Sequence, residues 1–181
     1  MKKVLFTLLI LLIFACNEET KKNEIKKLES QTLKEKEVEN PNFTVKLVAK
    51  VLYDDQFRLL YTQDLNTNFD GKQAVFINVK GTEGFQTIEF KIPNADIYPV
   101  RLRLNVGYNK DQKGIDIESL EILHHGNQFI ISDTIFNKYF YPNKYIQFNK
   151  DNGEIKFQKD DGKHIPFFVS RTPLHEILYE F

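Results

Sequence analysis

Phe43-Thr44-Val45-Lys46-Leu47-Val48-Ala49-Lys50-Val51-Leu52-Tyr53 is the stretch that decides the fold class. Phe43, Val45, Leu47, Ala49, Val51 and Tyr53 alternate with mostly polar neighbours. Successive side chains of an extended chain point to opposite faces, so this period of two predicts a strand with one buried face. The same pattern recurs in Phe57-Leu59-Tyr61, Val75-Ile77-Val79, Ile88-Phe90-Ile92, Val100-Leu102-Leu104, Ile115-Ile117, Ile146-Phe148 and Ile155-Phe157. Turn formers separate these runs: Phe69-Asp70-Gly71, Gly81 and Gly84, Lys113-Gly114, His125-Gly126-Asn127, Asp151-Asn152-Gly153 and Asp160-Asp161-Gly162. Asn152-Gly153 predicts a hairpin, because both residues tolerate the positive φ of a primed turn. No segment after residue 40 carries a 3.6-residue apolar stripe over three turns. An all-β, antiparallel two-sheet sandwich over residues 41–181 is therefore expected, and a domain of that size buries about 68% of its unfolded surface without needing disulfides.

Upstream of the sandwich the composition changes twice. Residues 17–40 hold seven Glu and six Lys, with only Ile25, Leu28, Leu33 and Val38 as aliphatics, and such a segment has no core to bury. It is expected to act as a flexible tether, reaching roughly 80 Å when extended and about 27 Å as a coil. Before it, Lys2 and Lys3 precede an apolar run from Val4 to Ala15 broken only by Thr7. As a helix this run covers about 18 Å, short of the ~30 Å hydrocarbon core, so it reads as an export signal and not a span. Its ending, Leu12-Ile13-Phe14-Ala15-Cys16, resembles the lipobox of bacterial lipoproteins, with Phe14 bulkier than the usual residue. The resemblance implies cleavage before Cys16, acylation of that cysteine and a membrane anchor, giving a signal peptide at 1–15 and a lipidated tether at 16–40. Two or three acyl chains make such an anchor effectively permanent. Asn17-Glu18-Glu19 is similar to the acidic signals that send some lipoproteins of Gram-negative bacteria to the outer surface; an outer-membrane location, surface-exposed or periplasm-facing, is expected.

Composition removes several function classes. With 25 Lys+Arg against 25 Asp+Glu the net charge is zero, so no broad positive field exists for nucleic acid. Cys16 is the only cysteine, which excludes internal disulfides, CxxC redox motifs and cysteine-built zinc sites. His124 and His125 are adjacent and would face opposite sides of a strand, while His164 and His175 are isolated, so no metal site is expected and no cofactor is implied. Asn109, Asp111, Gly114 and Asp116 have the flavour of a calcium loop, but Lys113 stands at a ligand position and Glu121 falls late, so a polar turn is expected. None of the four serines sits in a GxSxG elbow. Asp54-Asp55 and Asp160-Asp161 are the carboxylate pairs a glycoside hydrolase would start from, although neighbours at turns are usually solvated.

Residues 73–81, 85–93, 100–107 and 114–122 together resemble jelly-roll modules of the carbohydrate-binding type, in a phenylalanine-ended strand with a proline turn, an Arg-bearing strand before a glycine loop, and an isoleucine-rich strand. The resemblance implies a sandwich that binds glycan, though the chain has no tryptophan for stacking sugars. Tyr139, Tyr141 and Tyr145, in an aromatic run around Pro142, are the candidate stacking residues. Arg101 and Arg103 share the polar face of one strand, available either for bidentate contact with a ligand or for cross-strand pairing with Glu89, Glu118 or Glu121. Three readings follow: a non-enzymatic lipoprotein binding glycan or a protein partner, a structural or assembly lipoprotein held by protein contacts alone, and a hydrolase.

Overall fold

The alternation that begins at Phe43 becomes strand β1 (Thr44–Lys50), in which Val45, Leu47 and Ala49 are fully buried. In this computed structural model residues 41–149, 152–159 and 162–181 are described. The expected signal peptide, Cys16, the tether, Asp151 and the Asp160-Asp161 pair lie outside the described residues.

The remaining strands are β2 (Asp55–Thr62), β3 (Ala74–Val79), β4 (Phe85–Lys91), β5 (Arg101–Asn105), β6 (Gly114–His124), β7 (Asn127–Ser132), β8 (Phe140–Pro142), β9 (Ile146–Phe148), β10 (Ile155–Phe157) and β11 (Phe167–Ser170). They form a six-stranded sheet ordered β4-β1-β6-β10-β9, with β7 also paired to β6, and a five-stranded sheet ordered β3-β2-β5-β11-β8. Every pairing is antiparallel. The two sheets pack as a sandwich around one apolar core, in which Leu47, Phe90 and Ile122 from one sheet meet Phe57, Leu104 and Phe168 from the other. The expected all-β sandwich is thus the observed fold.

Three local features differ from the expectation. Val48 pairs with Ser119 but Ala49 pairs with Ile117, so β6 carries a bulge at Glu118. The extra residue shifts the parity of the strand: Ile115 and Ile117 point inward before it, Leu120, Ile122 and His124 after it. The two-residue primed hairpin falls at His125 (φ 47) and Gly126 (φ 81), between β6 and β7, where His124 pairs with Asn127. Asn152-Gly153 does join an antiparallel pair, β9 and β10, but through a longer connection in which Gly153 alone of the two has positive φ, 72.

The third difference is helical. A short helix α1 (Phe136–Tyr139), entered through a 3-10 turn at Asp133–Ile135, and a C-terminal helix α2 (Thr172–Tyr179) flank the end of the five-stranded sheet. At eight residues α2 is too short for a three-turn stripe; it starts on Thr172-Pro173, where proline is tolerated, and buries Leu174 and Leu178, one turn apart on one face. Among the described residues no helix is long and apolar enough to cross a membrane.

Candidate functional site

The outer face of the five-stranded sheet is the chemically unusual surface. Alternation sends Phe57, Leu59 and Tyr61 of β2 and Leu102 and Leu104 of β5 into the core, so Gln56, Arg58, Leu60, Arg101, Arg103 and Asn105 face outward. Register then fixes the neighbours: Arg58 lies between Phe76 of β3 and Asn105, and Arg103 between Leu60 and Val169 of β11. Phe167 stands next to Asn105, and Tyr141 of β8 next to Val169. No outward position on these five strands is acidic.

All four arginines of the chain lie on or beside this face, each over an aromatic ring. The Arg103 guanidinium carbon is 3.7 Å from the Phe167 ring centre, and Arg58 is 4.2 Å from that of Phe76 and 5.1 Å from that of Tyr108. Arg101 lies 4.9 Å from Phe69, and Arg171 5.5 Å from Tyr141. Such contacts are worth about 0.5–2 kcal/mol each and hold the guanidinium plane against the ring. Hydrogen bonds orient three of the four. Arg103 Nε donates to Asn105 Oδ1 (2.9 Å), Arg101 Nη1 to the carbonyls of Leu65 (2.6 Å) and Thr67 (3.2 Å), and Arg171 Nε to that of Phe140 (3.1 Å). Arg58 Nε is buried without a partner. Among the described residues none of the four meets a carboxylate within ion-pair distance. Burial pushes the Arg103 guanidinium below its ordinary value, Tyr108 opposing and Arg58 reinforcing the shift; it remains a cation at any physiological pH.

At one end the face runs into an open groove of about 890 Å³ lined by Arg101, Tyr141, Arg171, His175 and Tyr179, with Glu176 as its one acidic residue. Ser170 and His175 meet here, Ser170 Oγ and His175 Nε2 being 2.9 Å apart. The same nitrogen lies 3.0 Å from the Ser170 carbonyl, which only accepts, and the hydroxyl oxygen already accepts from the Leu102 N–H at 2.9 Å. The pair therefore clamps the start of α2 to β5. Burial, opposed by the Ser170 carbonyl and aided by Arg101, lowers the His175 pKa.

The structure divides the sequence candidates. Arg101 and Tyr141 come together in the groove, and Arg103 lies farther along the same face. Tyr139 is buried against Phe129, and Tyr145 is buried near Lys144, so neither presents a ring to a ligand. Arg101 and Arg103 do not make the cross-strand pairs considered above, because Glu89 of β4 and Glu118 and Glu121 of β6 belong to the other sheet. Arg58 and Arg171 completed the set without being anticipated.

The remaining polar candidates have local roles. Asp54 takes Lys80 (2.6 Å) and the Gly81 N–H (2.9 Å), which together hold its carboxyl below the ordinary value. Asp55 faces away from it, its Oδ1 accepting from the N–H groups of Gln56, Tyr108 and Asn109. This fixes the 107–109 turn, in which Gly107 (φ 143) has no room for a side chain because a Cβ would lie 2.6 Å from Asp55 Oδ2. Among the described residues no group of three or more His, Cys, Asp or Glu side chains is placed to hold a metal. Compared with known proteins, the chain matches no family model, no curated protein and no solved structure.

Proposed function

We propose that this chain is a lipid-anchored, non-enzymatic binding protein of the bacterial outer membrane that holds a glycan or a protein partner on the outer face of its five-stranded sheet. The observation that carries the reading is the gathering of every arginine of the chain on or beside one sheet face whose outward strand positions hold no acid, each within 5.5 Å of a ring centre and, among the described residues, none in an ion pair. Keeping cations together without counter-charges costs stability through mutual repulsion, a cost that a ligand site accounts for and a solvated face does not. The lipobox-like ending at Cys16 supports the anchor, the charged segment 16–40 supports a tether, and the jelly-roll-like strand pattern supports a carbohydrate-binding role.

Two measurements on the full chain test the proposal. Replacing Cys16 by Ser should abolish incorporation of a fatty-acid analogue and release the protein from membranes; continued labelling would sink the anchor. Replacing both Arg101 and Arg103 by Gln should remove binding on glycan and surface-protein arrays while the melting temperature stays within a few degrees. Undiminished binding would show that the ligand lies elsewhere.

A further inference from the structure

We propose that the arginine face is a track for a carboxylate-bearing polysaccharide, a chain of uronic acid units. The inference rests on that face being the ligand site proposed above, and it specifies the ligand's chemistry.

The first observation is spacing. Arg101 and Arg103 are two residues apart on β5, about 7 Å along the strand. Arg58 pairs with Asn105 and so stands one further two-residue step beyond Arg103. Arg171 follows β11 at the level of Arg101, since Val169 pairs with Arg103. The cations therefore form a line of steps and not a single nest, which suits a linear polyanion better than a point anion.

The second observation is presentation. Each guanidinium carbon lies 3.7–5.5 Å from a ring centre, and the N–H edge of a guanidinium is where its fork meets a carboxylate through two parallel hydrogen bonds. Among the described residues Arg103 donates only through Nε, and Arg58 donates no hydrogen bond, so the Nη groups of both have no partner within the fold. The third is the company of the cations. Phe76 and Tyr141 are 48% and 42% exposed, and Tyr179 at the groove is 65% exposed. A uronic acid ring brings an apolar C–H face and a carboxylate in one unit, matching the exposed rings beside Arg58 and Arg171. An acidic peptide brings carboxylates without that face. A bilayer surface cannot follow the track into the groove between α2 and the loop carrying Leu65.

The test uses the full chain in neutral detergent, titrated with polygalacturonate and with its fully methyl-esterified form, which keeps the rings and removes the charge. Polyglutamate and phosphatidylglycerol vesicles serve as competing anionic probes. Binding of polygalacturonate is expected to be at least tenfold tighter than that of the ester and several-fold weaker at 0.3 M than at 0.05 M salt, as screening requires. Arg58→Gln and Arg103→Gln should each lose about tenfold with the melting temperature lowered by no more than a few degrees, whereas Lys46→Gln on the opposite sheet should lose no affinity. Equal binding of acid and ester, still lost in the arginine variants, would overturn the acidic ligand and leave the face as the site. Acid binding indifferent to the arginine variants would overturn both. No binding of polygalacturonate, or tighter binding of polyglutamate or of the vesicles, would overturn the polysaccharide in favour of another ligand, an acidic protein or a membrane respectively.

Discussion

On the outer face of the six-stranded sheet, Lys46 of β1 stands between Glu89 of β4 and Glu121 of β6; on the outer face of the five-stranded sheet, Arg103 of β5 stands between Leu60 of β2 and Val169 of β11. The first arrangement neutralises its charges across the strands, with Lys46–Glu121 and Lys50–Asp116 both at 3.7 Å. The second surrounds each cation with apolar and aromatic groups and gives it none. The net charge of zero, a property of the whole chain, conceals two unlike surfaces. Lysine, strongly hydrated and flexible, occupies the face whose charges are paired across strands. Arginine, weakly hydrated and planar, occupies the face where side chains lie flat on rings. The difference between the two sheets carries more functional information than the overall composition.

The most direct way to break the contrast is to give the arginine face an acid. Phe76 is half exposed and pairs in register with Arg58, so Phe76→Glu would place a carboxylate beside that guanidinium and remove its ring platform. Affinity for polygalacturonate is expected to fall at least tenfold, about 1.4 kcal/mol. Stability should change by no more than about 1 kcal/mol, because little buried area is lost. Titration calorimetry with a parallel urea melt checks both; unchanged affinity would mean that the face tolerates neutralisation and is not the ligand site.

How much of this was legible in sequence follows from the same contrast. Alternation marks a strand only when its outer side chains are polar, as in β1, where lysines punctuate Val45, Leu47 and Ala49. Strand β11 reads Phe167-Phe168-Val169-Ser170: its outer positions are apolar because Arg103 lies over Phe167, and its inner Ser170 serves β5, so no period of two was visible. Arg101 and Arg103 could be placed on one face from their spacing, but Arg58 and Arg171 join them only through the sheet order β2-β5-β11, which composition does not encode. The aromatic run 139–145 misled for a related reason. It passes from α1 through β8 into a turn, so its three tyrosines point in different directions and only Tyr141 reaches the surface.

A pH titration sharpens the comparison at the margin of the arginine face. His164 is buried against Phe157, 5.6 Å between ring centres. Burial lowers its pKa below the ordinary 6.5, with Asp55 and the nearby Asn109 backbone opposing and Lys159 and Lys113 reinforcing the shift. Between the folded and unfolded values the unfolded chain binds more protons, so stability is full above about pH 7 and falls as pH drops through the unfolded value near 6.5. The melting temperature is expected to decline by a few degrees from pH 7 to pH 5. His164→Phe should flatten part of that decline, and the shifts at His124 and His175, which have the same direction, should account for what remains. An identical slope in the variant would show that His164 binds protons in the fold as readily as in the unfolded chain.

The smallest expected effect belongs to the paired face and tests whether its pairs matter at all. Lys46 and Glu121 are directly opposed across β1 and β6, both partly exposed and separated by 3.7 Å. Exposed pairs gain little Coulomb energy in high dielectric and lose side-chain entropy, so a double-mutant cycle of Lys46→Gln and Glu121→Gln should return a coupling of about 0.2–1 kcal/mol. Salt at 1 M should reduce it toward zero, since the Debye length there is only about 3 Å. A coupling well above 1 kcal/mol, insensitive to salt, would mean that cross-strand pairing on the six-stranded sheet is a structural necessity. The unpaired state of the arginines would then be a costlier departure, and a stronger sign of a ligand, than the small value implies.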